Sequence, residues 1–114
     1  MLREWIEAAL EHSNGTHTFE DIVKGISEGR MQLWPAERGV MVTEIVVYPR
    51  RKMLNIFLAG GDLDQLLDMG DDMRAWAKAQ GCDGAMLTGR KGWARVMKNH
   101  GWREKWTTMT TEIE

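Results

Sequence analysis

The stretch GVMVTEIVVYPRRKMLNIFLAGG, residues 39–61, contains two runs rich in apolar and β-branched residues on either side of a short basic link. The runs at 39–49 and 52–61 have the composition and length of strands in a sheet core. The link PRRK is short, which predicts that the two strands pair as an antiparallel hairpin. We therefore expect the fold to be built around this hairpin.

Two amphipathic helices are predicted before the hairpin. The first has one apolar stripe at helical spacing, formed by Leu2, Trp5, Ile6, Ala9 and Leu10. The second begins at Thr18, which with Asp21 three residues later matches a capping box, and it ends near Gly29. A short strand, MQLW at 31–34, follows and is expected to stop at Pro35.

Alternating helices and strands are predicted after the hairpin. One helix is expected over 61–81, capped by Asp62 with Gln65 reaching back, and Gly70 on its apolar stripe suggests a close backbone approach. The order is completed by a buried strand at 83–89, a helix ended by Gly101, and a strand over 103–114 whose residues alternate. The element order α-α-β-β-β-α-β-α-β predicts an α/β (α+β) fold with a mixed, mostly antiparallel sheet and helices on both faces.

Length and charge limit the class of protein. The chain has 114 residues without a repeat or linker, so residues 1–114 are expected to form one domain. The net charge of −2 gives no general attraction to nucleic acid or to an anionic membrane. Cys82, the single cysteine, indicates a reducing compartment and no zinc-type cluster. No apolar run is long enough for a membrane span.

Six tryptophans and nine methionines are many for this length. They are expected mainly to fill the core, and the alternative is that some form an exposed contact surface. Basic clusters at 50–52 and 90–91 are interpreted as solvated, with contacts to other proteins as the second choice and nucleic acid as an unlikely partner.

Residues 90–102, together with the element order, resemble the GNAT (GCN5-related N-acetyltransferase) superfamily. The family often shows an Asn at a strand end and then a helix of the form A-x-x-L-Y-x-x-x-G-F. Gly101 and Trp102 match the ending, and Val96 matches the apolar position before the Tyr. Arg90 stands in the place of the Asn and Met97 in the place of the Tyr. The resemblance implies a GNAT-like domain without the usual first strand.

Two departures bear on the activity that the resemblance implies. In the family the Tyr hydroxyl often protonates the leaving thiolate of coenzyme A, and the thioether of Met97 has no proton to give. The family's pyrophosphate loop corresponds to FLAGGDLDQLL, where Gly60 and Gly61 keep some backbone access. Asp62 and Asp64 crowd the start of the following helix and would repel phosphate.

Few residues suggest chemistry of their own. Glu44, inside an apolar strand, is a candidate general base, although it would equally suit a solvent-facing residue or one paired with Arg38 or Arg51. Asn55 in the neighbouring strand is interpreted in the same way. His12 and His17 are expected to be solvated, Cys82 to be a small buried group, and no residues are predicted to bind a metal.

The segments TFEDIVKGISEGRMQLWP, FLAGGDLDQL and GRKGW resemble sequences of small GNAT-like proteins of tailed bacteriophages. This resemblance implies a phage protein in the host bacterial cytoplasm, incorporated or not in the virion. Our preferred hypothesis is a non-catalytic GNAT-fold protein without a cofactor, acting in virion assembly or structure through contacts with phage proteins or with itself. The alternative is an acetyl-CoA-dependent N-acetyltransferase with Gly60, Gly61 and Arg90 at the cofactor and Glu44 as base.

Overall fold

The structure is a computed structural model that describes residues 2–89 and 91–113. Four strands and five α-helices are formed in this part of the chain, and a short 3-10 helix at Lys98–His100 follows the last of them. In chain order they are α1 (Leu2–Leu10), α2 (Phe19–Ser27), β1 (Met31–Ala36), β2 (Gly39–Val47), β3 (Lys52–Gly61), α3 (Leu63–Asp68), α4 (Gly70–Ala79), β4 (Gly84–Leu87) and α5 (Lys91–Met97).

The strands form one sheet in the order β1-β2-β3-β4. The first two pairings are antiparallel, and β4 pairs parallel to β3. The predicted hairpin is confirmed, and its turn is closed by the N–H of Tyr48, which donates to the carbonyl of Arg51 at 2.8 Å. The mixed, mostly antiparallel sheet predicted from the element order is therefore present.

A β-bulge interrupts the alternation of β3. Val42 pairs with Leu58 and Thr43 pairs with Ile56, which leaves Phe57 without a partner on β2. The extra residue makes Leu58 and Ile56 face opposite sides of the sheet, in spite of their spacing of two.

Each face of the sheet has its own core. On one face α1 and α2 pack over a cluster formed by Ile6, Ile22, Met31, Val40, Val42 and Leu58. On the other, α3 and α4 contribute to a cluster formed by Met41, Leu54, Ile56, Leu66, Met73 and Ala77. Helices on both faces of the sheet are thus confirmed.

The capping box of α2 is formed as predicted. The hydroxyl of Thr18 accepts from the N–H of Asp21 at 3.3 Å, and the carboxylate of Asp21 accepts from the N–H of Thr18 at 2.8 Å. The backbone hydrogen bond from Thr18, followed by the one from its hydroxyl, lowers the pKa of Asp21 below its ordinary value of 3.8. Gly29, with φ of +77°, follows the end of the helix as expected.

The predicted helix over 61–81 is wrong as one element. It is divided into α3 and α4 at Met69. A Cβ on Gly70 would meet no atom within 4 Å, so this glycine is not required by a close approach, contrary to the prediction. Its conformational freedom instead favours an interruption at this point.

The predicted C-terminal strand is also wrong. Residues 103–113, called here the C-terminal segment, form neither helix nor strand. Its alternation places threonines at two of the four positions of its apolar side, so pairing would bury little apolar surface to offset the ordering of the backbone. The strand at 31–34 is longer than predicted, because β1 lies at the sheet edge, where Pro35 is tolerated.

Candidate functional site

Strand β4 pairs with β3 over its whole length, but β3 is longer and extends beyond the ladder. The parallel ladder joins residues 53–56 of β3 to residues 84–87 of β4. β3 continues to Gly61, whereas β4 ends at Leu87. A cavity of about 260 Å³, called here the wedge, lies beyond this point and is lined by residues 59–61, Leu63, Leu66, Gly92, Trp93 and Val96.

Gly60 and Gly61, predicted as cofactor residues, line the wedge. Both glycines also have structural reasons to be there. A Cβ on Gly60 would lie 2.9 Å from the carbonyl oxygen of Trp5 in α1. Gly61 has a φ of +101°, and its Cβ would overlap the carbonyl oxygen of Arg38. Packing against α1 and against the β1–β2 turn therefore accounts for both without a ligand.

The amides at the start of α3 are occupied by a side chain of the protein. The carboxylate of Asp62 accepts from the N–H of Asp64 at 2.9 Å and from that of Gln65 at 3.3 Å. Its other oxygen lies 3.4 Å from Nε of Arg38. Asp62 thus caps α3 as predicted, and the salt bridge fixes it against the β1–β2 turn.

The second half of the predicted capping box is wrong. Gln65 does not reach back to the N–H of Asp62, which donates to the carbonyl of Arg38 at 2.7 Å. Oε1 of Gln65 instead accepts from the N–H of Arg38 at 2.5 Å. The backbone of Arg38 in the β1–β2 turn thus binds both the N–H of Asp62 and the side chain of Gln65. These long-range hydrogen bonds replace the local one between Gln65 and Asp62.

The residues at the start of α3 do not fit the diphosphate of acetyl-CoA, which the GNAT resemblance implies there. A diphosphate needs free N–H groups, and those of Asp64 and Gln65 already donate to Asp62. A further negative charge about 5 Å from this carboxylate would be opposed by about 3 kcal/mol at an effective dielectric constant near 20. The salt bridge with Arg38 offsets part of that repulsion.

No hydroxyl side chain among the described residues lines the wedge in place of the family's tyrosine. Met97 lies half-buried on α5, and Tyr48, at the end of β2, donates to Sδ of Met86 at 3.8 Å. Arg90, predicted as a cofactor residue, lies outside the described residues.

Glu44 and Asn55 are brought together by the sheet. They are register partners on β2 and β3, and Nδ2 of Asn55 donates to Oε1 of Glu44 at 3.1 Å. Glu44 is half-buried, and its partner is therefore an amide rather than the predicted Arg38 or Arg51. Oδ1 of Asn55 is buried without a hydrogen-bond partner in the described part of the chain. Neither residue lines the wedge.

A larger cavity, of about 590 Å³, lies between α4, α5 and the sheet. We call it the central cavity. Its apolar lining includes Met73, Ala77, Cys82, Leu87, Trp93, Met97 and Trp102, and it also contacts Asp71, Arg74, Lys78, Asp83 and His100. This cavity was not predicted from the sequence, although the many tryptophans and methionines indicated irregular packing.

The remaining candidates have ordinary surroundings. Cys82 is half-buried on the central cavity. The expectation that His17 is solvated is wrong in part, because its half-buried ring packs edge-on against Phe57 with 4.6 Å between centroids. Over residues 2–89 and 91–113, no three His, Cys, Asp or Glu side chains are grouped to hold a metal ion.

None of the helices in the described part of the chain combines the length and apolar character that a bilayer crossing demands.

Comparison with solved structures identifies the architecture. The chain superimposes on a protein from Thermus thermophilus with a TM-score of 0.66 at 12% identity, covering 99% of this chain and 88% of that one. An acetyltransferase of Trypanosoma brucei gives a TM-score of 0.61 at 12% identity, with 99% and 96% covered. Glucosamine-6-phosphate N-acetyltransferase of Arabidopsis thaliana gives 0.62 at 17% identity, with 88% and 82% covered.

At these identities the superpositions show a shared fold, and the chain has a GNAT-like fold, as its sequence predicted. No family model matches the chain. A search of curated proteins also gave no match.

Proposed function

We propose that this chain is a GNAT-fold protein that works through contacts with other proteins rather than by acyl transfer. The observation that carries the proposal is the carboxylate of Asp62 on the N–H groups of Asp64 and Gln65. An enzyme that bound a diphosphate at this helix would need those groups free. Met97, where the family often has a proton-donating tyrosine, supports the same proposal.

The C-terminal segment supports a role in protein contact. Its three largest apolar side chains are Trp106, Met109 and Ile113, with exposed fractions of 70%, 90% and 91%. Large apolar side chains exposed on a short segment are candidates for contact with a partner, and Trp is among the residues that contribute most at protein interfaces. The proposed partner is a structural protein of a phage particle or a second copy of this chain.

An acetyl-CoA-dependent N-acetyltransferase is the second candidate. The wedge favours it, because Gly60 and Gly61 at the end of β3 border a cavity beside α3 and α5, and the fold is shared with two acetyltransferases. Under this proposal Arg90 would contribute to the cofactor site. Glu44 would serve as the base only if the acceptor amine reached the half of the sheet where Glu44 lies.

Titration of the full chain with acetyl-CoA, followed by thermal denaturation, separates the two candidates. A ligand at 100 times its Kd adds about 2.7 kcal/mol of stability, which would raise the Tm by on the order of 10 °C. We expect no rise at millimolar acetyl-CoA. A rise of that size, accompanied by acetylation of an added amine, would overturn the main proposal.

A matched pair of variants tests the role of Asp62. Asp62→Ala should free the two N–H groups and give measurable binding of coenzyme A, at a cost of about 1 kcal/mol for the lost cap. Asp64→Ala removes a neighbouring carboxylate that caps nothing and should leave binding absent. Equal behaviour of the two variants would show that Asp62 does not block the site.

The phage setting has its own test. In a host infected by the encoding phage, purified particles should contain the chain, as detected by mass spectrometry. Replacement of Trp106, Met109 and Ile113 by Ser should lower its copy number in the particles without lowering its expression. Particles that lack the chain, together with normal yield in its absence, would contradict a role in the virion.

A further inference from the structure

The central cavity separates α5 from α4 on the face of the sheet opposite α1 and α2. Trp93, Met97 and Trp102 all border it, and each is only half-buried. The sheet side is closed by Leu54 and Ile56, which are almost fully buried. Trp93 and Trp102 thus pack against the core with part of their surface and line an open volume with the rest.

The size of the central cavity is that of a small-molecule site. Its volume of about 590 Å³ lies within the roughly 300–1,000 Å³ that is usual for ligand pockets. An occupant with apolar surface would make dispersion contacts with the apolar lining of the cavity.

The rim of the central cavity offers positive charge to one end of such an occupant. Arg74 and Lys78 lie one turn apart on α4, and both border the cavity with exposed side chains. Neither forms a salt bridge within the described residues, and Nη2 of Arg74 makes a long hydrogen bond of 3.4 Å to the carbonyl of His100.

Two carboxylates also border the central cavity. Asp83 is engaged elsewhere, because its side chain accepts from the N–H of Lys52 at 2.9 Å. Asp71 lies three residues before Arg74 on α4 and is exposed. The charges at the rim therefore balance, and Arg74 and Lys78 are the side chains that can donate hydrogen bonds to an anion there.

We propose that the central cavity binds a small amphiphilic carboxylate, with an aliphatic or aromatic body among Trp93, Met97 and Trp102 and its carboxylate at Arg74 and Lys78. This proposal goes beyond the proposed function and does not depend on it. It requires neither the wedge nor the amides at the start of α3.

Cys82 provides a local probe of occupancy. It is the only cysteine in the chain and borders the central cavity, so its rate of reaction with a maleimide reports on that cavity alone. Decanoate is a suitable test ligand, used below its micellar concentration with the full chain. We expect decanoate to slow the reaction of Cys82 at least fivefold at saturation.

The role of the cations is tested by charge removal. Arg74→Gln combined with Lys78→Gln should raise the decanoate concentration needed for half-maximal protection tenfold or more, as is typical for lost charge-assisted hydrogen bonds. Lys24→Gln, on α2 across the sheet, removes one exposed cation and should leave protection unchanged. Decan-1-ol has a similar chain without the charge and should protect more weakly than decanoate in the unaltered protein.

Three results would overturn the proposal. Decanoate could leave the rate unchanged, or decan-1-ol could protect as well as decanoate, which would remove the role of the cations. In the third result, Cys82 does not react with the maleimide in the free protein but reacts after deletion of residues 104–114. The chain's own C-terminal segment would then be the occupant of the central cavity. Circular dichroism of each variant verifies that it is folded.

Discussion

Nε1 of Trp34 donates a hydrogen bond to Oγ1 of Thr43 across 3.0 Å, and this hydroxyl in turn donates to Oε1 of Gln32 at 2.8 Å. Thr43 has no solvent exposure. The indole of Trp34 packs edge-on against Trp76 of α4, with 5.6 Å between the ring centroids. One buried hydroxyl therefore orients the aromatic pair that joins the edge strand β1 to α4.

Replacement of this hydroxyl should lower stability. Thr43→Val keeps the shape but leaves the N–H of Trp34 and the amide of Gln32 without their partner, which should cost about 1–3 kcal/mol in free energy of unfolding. The measurement is urea denaturation with an unchanged m-value. Thr108→Val, in the exposed C-terminal segment, is the control and should stay within about 0.5 kcal/mol of the parent. An equal effect of the two substitutions would contradict a role for the buried hydroxyl.

Gly70→Ala should raise stability. The added Cβ would meet no atom within 4 Å, and alanine reduces the backbone freedom of the unfolded chain by an amount worth about 0.4–1 kcal/mol. Gly61→Ala is the opposite case, because its Cβ would overlap Arg38 and its φ is positive. Thermal denaturation should shift the two variants in opposite directions. A loss of stability in Gly70→Ala would show that the junction of α3 and α4 needs a glycine.

Asp21 should make the stability of α2 depend on acid pH. Its pKa is lower in the folded chain than the value of 3.8 for a free side chain, mainly through the hydrogen bond from the N–H of Thr18. The stabilisation is therefore complete well above pH 3.8 and is lost as the pH falls through the folded pKa. Asp21→Asn should remove this part of the loss of stability at acid pH, which is measured as the free energy of unfolding from about pH 7 to about pH 2.

Asp68→Asn is the matched control for the loss of stability at acid pH, because Asp68 is an exposed carboxylate at the end of α3. The substitution removes the same charge without removing a capping hydrogen bond. If the stability difference between the parent and Asp21→Asn stays constant down to about pH 2, the capping box does not hold the ionised form.

Deletion of residues 104–114 should leave the fold stable. The C-terminal segment is exposed and contributes neither helix nor strand, so the Tm should change by less than about 2 °C. Trp102→Ala, immediately before it, removes a ring that packs against the core of α3 and α4 and should lower the Tm clearly. A large loss of stability on deletion would instead support the strand that the alternating sequence predicted.

Strong local signals predicted the parts of the fold that local interactions decide. The stripe of α1, the hairpin and the Thr18–Asp21 box each depend on residues close in sequence, and all three are present. Gly101 also has the left-handed conformation that its position predicted, with φ of +86°. These features need no knowledge of the rest of the molecule.

Long-range competition explains what the sequence could not predict. Gln65 was expected to complete a local capping box, but the N–H of Arg38, 27 positions away, takes its side chain. Glu44 was expected to face solvent or to pair with an arginine, and its partner is Asn55, because the register of the hairpin sets them opposite one another. Neither hydrogen bond can be read from the spacing of these residues along the chain.

The candidate site was predictable only in part. Gly60 and Gly61 line the wedge, and their role in packing became visible only from the approach of Trp5 and Arg38. The central cavity could not be predicted, because it depends on how far α5 stands from α4. A count of tryptophans and methionines indicates uneven packing without saying where the gap lies.

Phe57 is the one residue of β3 that the ladder does not need. Its removal would make Leu58 and Ile56 neighbours that face opposite sides, which is the regular alternation of a strand, so the pairs on either side of the bulge would be kept. An added residue between 53 and 56 would instead turn one part of the strand toward the wrong helical layer. Homologues of this chain are therefore expected to tolerate the loss of one residue at 57 and no insertion between 53 and 56.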